Sequence, residues 1–148
     1  MEDKLIAVGA DHAGFELKEK VKDILKNLGY EVKDFGTDST DSVDYPLIAK
    51  SLAHSVASKN PHKGILVCGT GVGMAIAANK IKGIIAANCN DAEIAKLSRL
   101  HNNSNILTLG GRIIDEKKAK EIVKTWLETD FEGGRHQRRI QEIRDLEK

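Results

Sequence analysis

Short apolar runs alternate with amphipathic stretches five times along this chain, and that alternation limits the fold more than any other feature. Residues 4–10 (KLIAVGA) are almost continuously apolar, as a strand buried on both faces must be. Over 14–28 the apolar residues Phe15, Leu17, Val21, Ile24, Leu25 and Leu28 recur at helical spacing, and Gly29 stops the segment. Residues 31–35 read as a second strand and 36–45 as a polar loop, after which Pro46 opens a helix to about Ser58. A third strand over 64–68 (GILVC) runs through the loop GTGVG into a helix over 72–79. The pattern then predicts a strand over 83–88, a helix capped by Asp91 and running to His101, and a strand over 105–109. A helix capped by Asp115 runs to Glu128, and a short basic helix over 137–147 follows the Gly133-Gly134 break.

Strands that alternate with helices form a parallel sheet covered on both faces. The expected fold class is therefore α/β: a three-layer, Rossmann-like arrangement with a five-stranded parallel sheet and a C-terminal helical tail. A chain of 148 residues suits one domain, 1–148, with enough core to need no disulfide or metal staple. Such sheets place ligands beyond the carboxyl ends of their strands. Those ends are Ala10-Asp11-His12, Phe35-Gly36, Cys68-Gly69-Thr70, Asn88-Cys89-Asn90 and Gly110-Gly111-Arg112, so polar and reactive side chains gather where a site is expected.

Several function classes drop out. The 23 Lys and Arg balance 22 Asp and Glu, a net charge of +1, which gives no field for nucleic acid or an acidic membrane. No apolar stretch approaches the roughly 20 residues of a membrane span, and the first residues do not read as a signal peptide. Cys68 and Cys89 form neither a CxxC pair nor a zinc pattern, so two free thiols, a cytoplasmic location and no metal site are expected.

The loop Cys68-Gly69-Thr70-Gly71-Val72-Gly73 is the strongest local signal. Its glycines let backbone N–H groups approach a ligand, and it opens a helix whose N-terminus favours negative charge. A tight strand-to-helix turn is the plain alternative. The spacing fails GxGxxG, lacks the Lys-Ser/Thr of a P-loop, and puts Met74 where a cysteine phosphatase needs Arg. What remains is an oxyanion nest beside a thiol. Thiols at helix N-termini ionise below the roughly 8.5 of free cysteine, so Cys68 is expected as a nucleophile or a base. Cys89 reads as a small buried hydrophobe.

Asp11 and His12 can polarise a hydroxyl or bind phosphate, or simply cap the turn. His54 and His62 carry no assigned role. His101 shares a face with Ile94 and Leu97, at the last turn of its helix. A crossover helix starts at the catalytic edge and ends at the opposite one, and ten residues span roughly 15 Å. His101 is therefore expected far from its own chain's Cys68, able to join that site only in a partner. Arg135 and Arg139, at i and i+4, could grip a phosphate or form a solvated basic face; they too follow a helix and begin at the wrong edge. Arg112 is better placed locally.

These segments resemble type B ribose-5-phosphate isomerases, in the family that also holds galactose-6-phosphate isomerase subunits. The residues that carry the likeness are GADHAGFELK near the start, DYP at 44–46, ILVCGTGVGMAIAANK at 65–80, LSRLHNNSNILTLGGR at 97–112 and FEGGRHQRRI at 131–140. The resemblance implies interconversion of ribose 5-phosphate and ribulose 5-phosphate with no metal or cofactor. It implies Cys68 as the base between carbons 2 and 1, and the Gly69, Thr70, Gly71, Val72 and Gly73 amides as the hole for an enediolate. Asp11, Thr70 and His101 are then the candidates for opening the sugar ring. His12, Arg135 and Arg139, with Arg112 in addition, match phosphate contacts, and Tyr45 and Asn102 match substrate contacts. The family implies a homodimer or a dimer of dimers with sites shared between chains, the 131–148 tail packing on the partner. An isomerase of a six-carbon sugar phosphate and a non-catalytic sugar-phosphate or nucleotide-binding domain are the competing expectations.

Overall fold

Consecutive Val, Ile, Leu and Ala leave the apolar runs no side that tolerates water, so they pair centrally and take cover on both faces. In the computed structural model, which describes residues 4–147, the strands are β1 Leu5–Ala10, β2 Glu31–Asp34, β3 Lys63–Cys68, β4 Ala86–Asn88 and β5 Ile106–Gly110. They form one parallel sheet in the order β2-β1-β3-β5-β4. The helices are α1 Phe15–Asn27, α2 Tyr45–Ala57, α3 Val72–Ala78, α4 Ala92–Asn102, α5 Glu116–Glu128 and α6 Arg135–Asp145.

Side chains alternate across each strand. Ile6, Val8, Ala10, Ile65, Val67, Leu107 and Leu109 face α1, α5 and Ala95 of α4. Ala7, Leu66, Cys68 and Ile106 face α2 and α3. Three layers result, as expected, and α6 lies outside them against the end of α4. No helix among the described residues is long and apolar enough to cross a membrane.

Two elements differ from the sequence reading by more than one residue. The fourth strand pairs only over Ala86–Asn88, not from residue 83, because Gly83 sits at φ +92° and the Ile84 amide closes a turn onto the Ile81 carbonyl. The last helix starts at Arg135, two residues early, and ends at Asp145: Gly134 takes φ +56° as its N-cap, and starting there buries His136 and Ile140, four apart, on one face. The caps fall where expected, with Asp91 and Asp115 accepting from the amides of Ile94 and Lys118, each at 2.8 Å.

After β1 the chain steps outward to β2; after β3 it continues on the opposite side to β4 and β5. The crevice at such a reversal, above the ends of β1 and β3, is where an open parallel sheet exposes its strand-end loops to a ligand.

Candidate active site

Register brings the first two site residues together. Ala10 pairs with Val67, and the Asp11 amide still donates to the Val67 carbonyl at 3.2 Å, so Asp11 and Cys68 end adjacent strands side by side. They form the floor of a cleft of about 460 Å³, lined also by His12, Tyr45, Gly69, Thr70, Val72, Gly73 and Arg112.

Cys68 is 6% exposed, and its Sγ accepts a hydrogen bond from the Gly71 amide at 3.2 Å. Gly71 has to be glycine: its φ is +88°, and a Cβ would run into Asn88 Oδ1 and lie 3.0 Å from the Leu109 backbone. The Val72 amide donates to Thr70 Oγ1 at 3.2 Å. Among the described residues, no protein acceptor engages the amides of Gly69, Thr70 or Gly73. The loop thus commits one N–H to the sulfur and leaves three for a ligand.

Asp11 is buried, and its Oδ1 accepts from the Gly14 amide at 3.0 Å. His12 Nδ1 accepts from the Val43 amide at 3.2 Å, so in the neutral ring the proton is on Nε2. Tyr45 opens α2 and rests on Gly73, whose Cβ would lie 2.8 Å from the ring. The Arg112 guanidinium lies against Gly69, with its own amide donating to the Gly69 carbonyl at 3.0 Å. One guanidinium and three residues with unengaged amides therefore line the same cleft as the thiol.

His101, Asn102, Arg135 and Arg139 do not line that cleft. His101 and Asn102 close α4 beside Asn103, which borders a cavity lined by Leu5, Lys63 and Asn105, at the starts of β1, β3 and β5. A crossover helix returns to this lower edge, and the end of α4 lies there as expected. The tail docks on α4 of its own chain: His136 stacks on His101 with ring centroids 4.3 Å apart at 19°, and the Glu132 amide donates to the Leu100 carbonyl. Arg135 and Arg139 are exposed on α6.

The sequence suggested no ligand set, yet the fold brings donor atoms of His101, Glu132 and His136 within 4.8 Å of one another. Imidazole lone pairs lie in the ring plane, and a metal would sit about 2.0–2.1 Å from each nitrogen. Rings stacked at 4.3 Å and 19° share no such point, so the trio is a stack beside a carboxylate and needs one ring to turn before it could hold an ion.

Sequence reasoning missed the supports. Thr108, fully buried, donates to the Gly71 carbonyl at 2.8 Å, and Asn90 bridges the Thr70 carbonyl and the Gly110 amide at 3.2 and 3.0 Å. Asn88 and Asn90 at a strand end were the available signal. Cys89 is fully buried; burial pushes its thiol up to about 11 against the opposing Ser98 hydrogen bond, which fits the inert role expected for it. Arg99, 6% exposed, donates to the carbonyls of Thr129 and Ser104 at 3.0 and 2.6 Å and so fixes the end of α4 that carries His101.

A sequence model described as Ribose/Galactose Isomerase matches residues 6–143. Ribose-5-phosphate isomerase B of Escherichia coli (strain K12) is 47% identical over 144 residues, 97% of each chain. The D-erythrulose-4-phosphate isomerase of Pectobacterium atrosepticum is 42% identical over 139 residues, 93% of this chain and 91% of the relative. Among solved structures, ribose-5-phosphate isomerase B of Clostridium thermocellum superposes with a TM-score of 0.95 at 48% identity, over 97% of both chains. With a thiol, an Asp-His pair and free amides in one cleft, and a match over nearly its whole length, this chain belongs to the ribose/galactose isomerase family.

Proposed function

We propose that the protein interconverts ribose 5-phosphate and ribulose 5-phosphate by proton transfer through an enediolate, without metal or cofactor. The observation that carries this reading is Cys68 Sγ on the floor of a cleft whose rim offers the unengaged amides of Gly69, Thr70 and Gly73. Cys68 takes the proton from carbon 2 and returns it to carbon 1. The charge that develops on the sugar oxygens needs preorganised donors, each worth about 3 kcal/mol in such sites, and the amides supply them. This refines the sequence expectation: Gly71 serves the sulfur and Val72 serves Thr70, which leaves three amides and not five.

The aldose is mostly a ring and must open first. Its anomeric hydroxyl loses a proton, the bond from carbon 1 to the ring oxygen breaks, and the ring oxygen gains a proton. Asp11 and Thr70 of one chain and His101 of another are the groups for this step. His12 and Arg112 bind phosphate from the cleft's own chain. Arg135 and Arg139, with Asn102 as a sugar contact, arrive from a second copy in a two-fold dimer. The exposed apolar residues Leu47, Val72 and Ile76 near the cleft suit such a neighbour.

The test is an isomerase assay over four-, five- and six-carbon aldose and ketose phosphates after exhaustive chelation. The reading expects the five-carbon pair to give the highest kcat/KM and chelation to leave it unchanged. A higher value for a six-carbon phosphate moves the assignment to the other branch of the family. Loss on chelation with recovery on one divalent ion replaces the amide cradle with a metal.

A further inference from the structure

We propose that His136 is a positioning residue for ring opening: its stacked imidazole fixes the plane of His101 while leaving both His101 nitrogens free. This rests on the reading of His101 as a ring-opening group in a partner's site.

An acid/base histidine is usually oriented by a hydrogen bond to one nitrogen, which leaves only the other for chemistry. Here the backbone end of α4 is already held by Arg99 and by the Glu132 amide, so the remaining freedom of His101 is rotation of its ring. Among the described residues no hydrogen bond engages that ring; His136 contacts its face at 4.3 Å and 19°, and the Glu132 carboxylate comes within 4.8 Å of it. A stack constrains the ring plane and consumes no donor or acceptor.

His136 is costly where it is. It is 4% exposed, and its Nε2 makes no hydrogen bond; the Glu132 carboxylate stands 3.4 Å away and out of line. A leucine would fill similar volume without a buried unpaired nitrogen. Docking of the tail does not require a ring there, since Ile140, 1% exposed, already buries the same face of α6. Leucine lacks both a flat face to lay on His101 and an imidazole beside the Glu132 carboxylate, whereas phenylalanine keeps the flat face and lacks only the second. The same short helix carries Arg135 and Arg139, so one rigid unit would present the ring-opening imidazole and the phosphate grip together.

Ring opening can be measured apart from proton transfer. The ketose has its terminal hydroxyl blocked by phosphate and cannot close a five- or six-membered ring on carbon 2. Exchange of its carbon-1 hydrogen with solvent deuterium therefore reports the Cys68 step alone. On the intact enzyme, His101→Asn should slow ribose 5-phosphate turnover about 100-fold and spare exchange. His136→Leu should lower kcat on the aldose about tenfold, with KM and ketose exchange within about twofold, and His136→Phe should recover to within about threefold of native. If His136→Leu does not fold, His136→Met takes its place as the non-planar variant.

Equal rates in the planar and non-planar variants, or parallel loss of turnover and exchange, would make His136 a packing residue and overturn the proposal. If His101→Asn itself loses no ring-dependent rate, the assignment of His101 is at fault, and the proposal falls with its premise. Selective slowing in His101→Asn without it in His136→Leu leaves the proposed function standing and sinks this inference alone.

Discussion

The Gly71 amide donates to Cys68 Sγ at 3.2 Å, across a loop that turns back on itself within three residues. The turn exists because Gly71 adopts φ +88°, and it is held from behind by Thr108 on β5, whose hydroxyl donates to the Gly71 carbonyl. Strand end, sulfur and amide are thus one rigid unit. Gly69, Thr70 and Gly73, whose amides have no protein acceptor among the described residues, line the cleft where the proposed chemistry develops negative charge.

Replacing the base tests the core of the proposal. Cys68→Ser keeps the size and the Gly71 contact but substitutes a far weaker base. Isomerisation should fall by about 10²–10⁴-fold, the usual worth of a positioned general base, while phosphate binding and thermal stability stay near native. Solvent deuterium should enter the native product. Turnover of Cys68→Ser within a few-fold of native would remove the sulfur from the mechanism.

Gly71→Ala attacks the same unit through the backbone. An L-residue at φ +88° costs about 1–2 kcal/mol, and the added methyl would also collide with Asn88 Oδ1. The loop should shift, taking its N–H off the sulfur. The expected result is a loss of kcat of at least about tenfold with a modest fall in melting temperature. A variant with unchanged kcat would show that the Gly71 contact does nothing for the reaction.

The sheet, the helices and the loop around Cys68 were legible because each depends on local pattern: apolar runs, caps, and glycines beside a cysteine. The helix direction even placed His101 at the opposite edge, since a crossover must return to the start of the next strand. The pairing of Asp11 with Cys68 was less legible, because it depends on register between strands 50-odd residues apart in sequence, set by β1 lying beside β3. The His101–His136 stack was not legible at all. It needs the tail to fold back on α4, and nothing periodic in residues 129–134 encodes that return. The early start of α6 has the same origin, since burial of His136 and Ile140 decides it.

Acid should loosen the loop that leads to His12. Lys18 is fully buried, and its Nζ donates to Asp34 at 2.8 and 3.0 Å and to the Thr37 carbonyl, just before the segment that reaches Val43 and His12. Burial pushes the Asp34 carboxyl up, but Lys18, Lys22 and the Gly36 amide together hold it below the ordinary carboxylate range. A depressed carboxylate contributes stability that is complete above its unfolded value, near about 3.9, and is lost as pH falls through the folded one. Asp34→Asn should therefore be less stable at pH 7, where it leaves Lys18 with the Thr37 carbonyl and a neutral amide, by about 1 kcal/mol after screening of the exposed carboxylate, and the gap should close progressively below about pH 4. Urea melts of both proteins at several pH values measure it; a gap independent of pH would mean that the charge on Asp34 does not hold the loop.

The proposed two-chain site makes the sharpest prediction. Cys68 and Asp11 stand at the upper edge of the sheet, and His101, Arg135 and Arg139 are carried by helices that end or dock at the lower edge. One chain does not unite them, whereas a two-fold axis can set one protomer's lower edge against its partner's upper edge. Cys68→Ser and His101→Asn homodimers should each be nearly inactive. In a mixed dimer one site inherits both lesions and the other neither. Co-refolding the two variants should then restore up to about half the native activity per heterodimer, the limit that symmetry sets. The measurement is turnover of a tagged, purified heterodimer against both parents. Mixed dimers that form and stay inactive would mean that His101 serves its own chain or takes no part in catalysis, and the two-chain site would have to be abandoned.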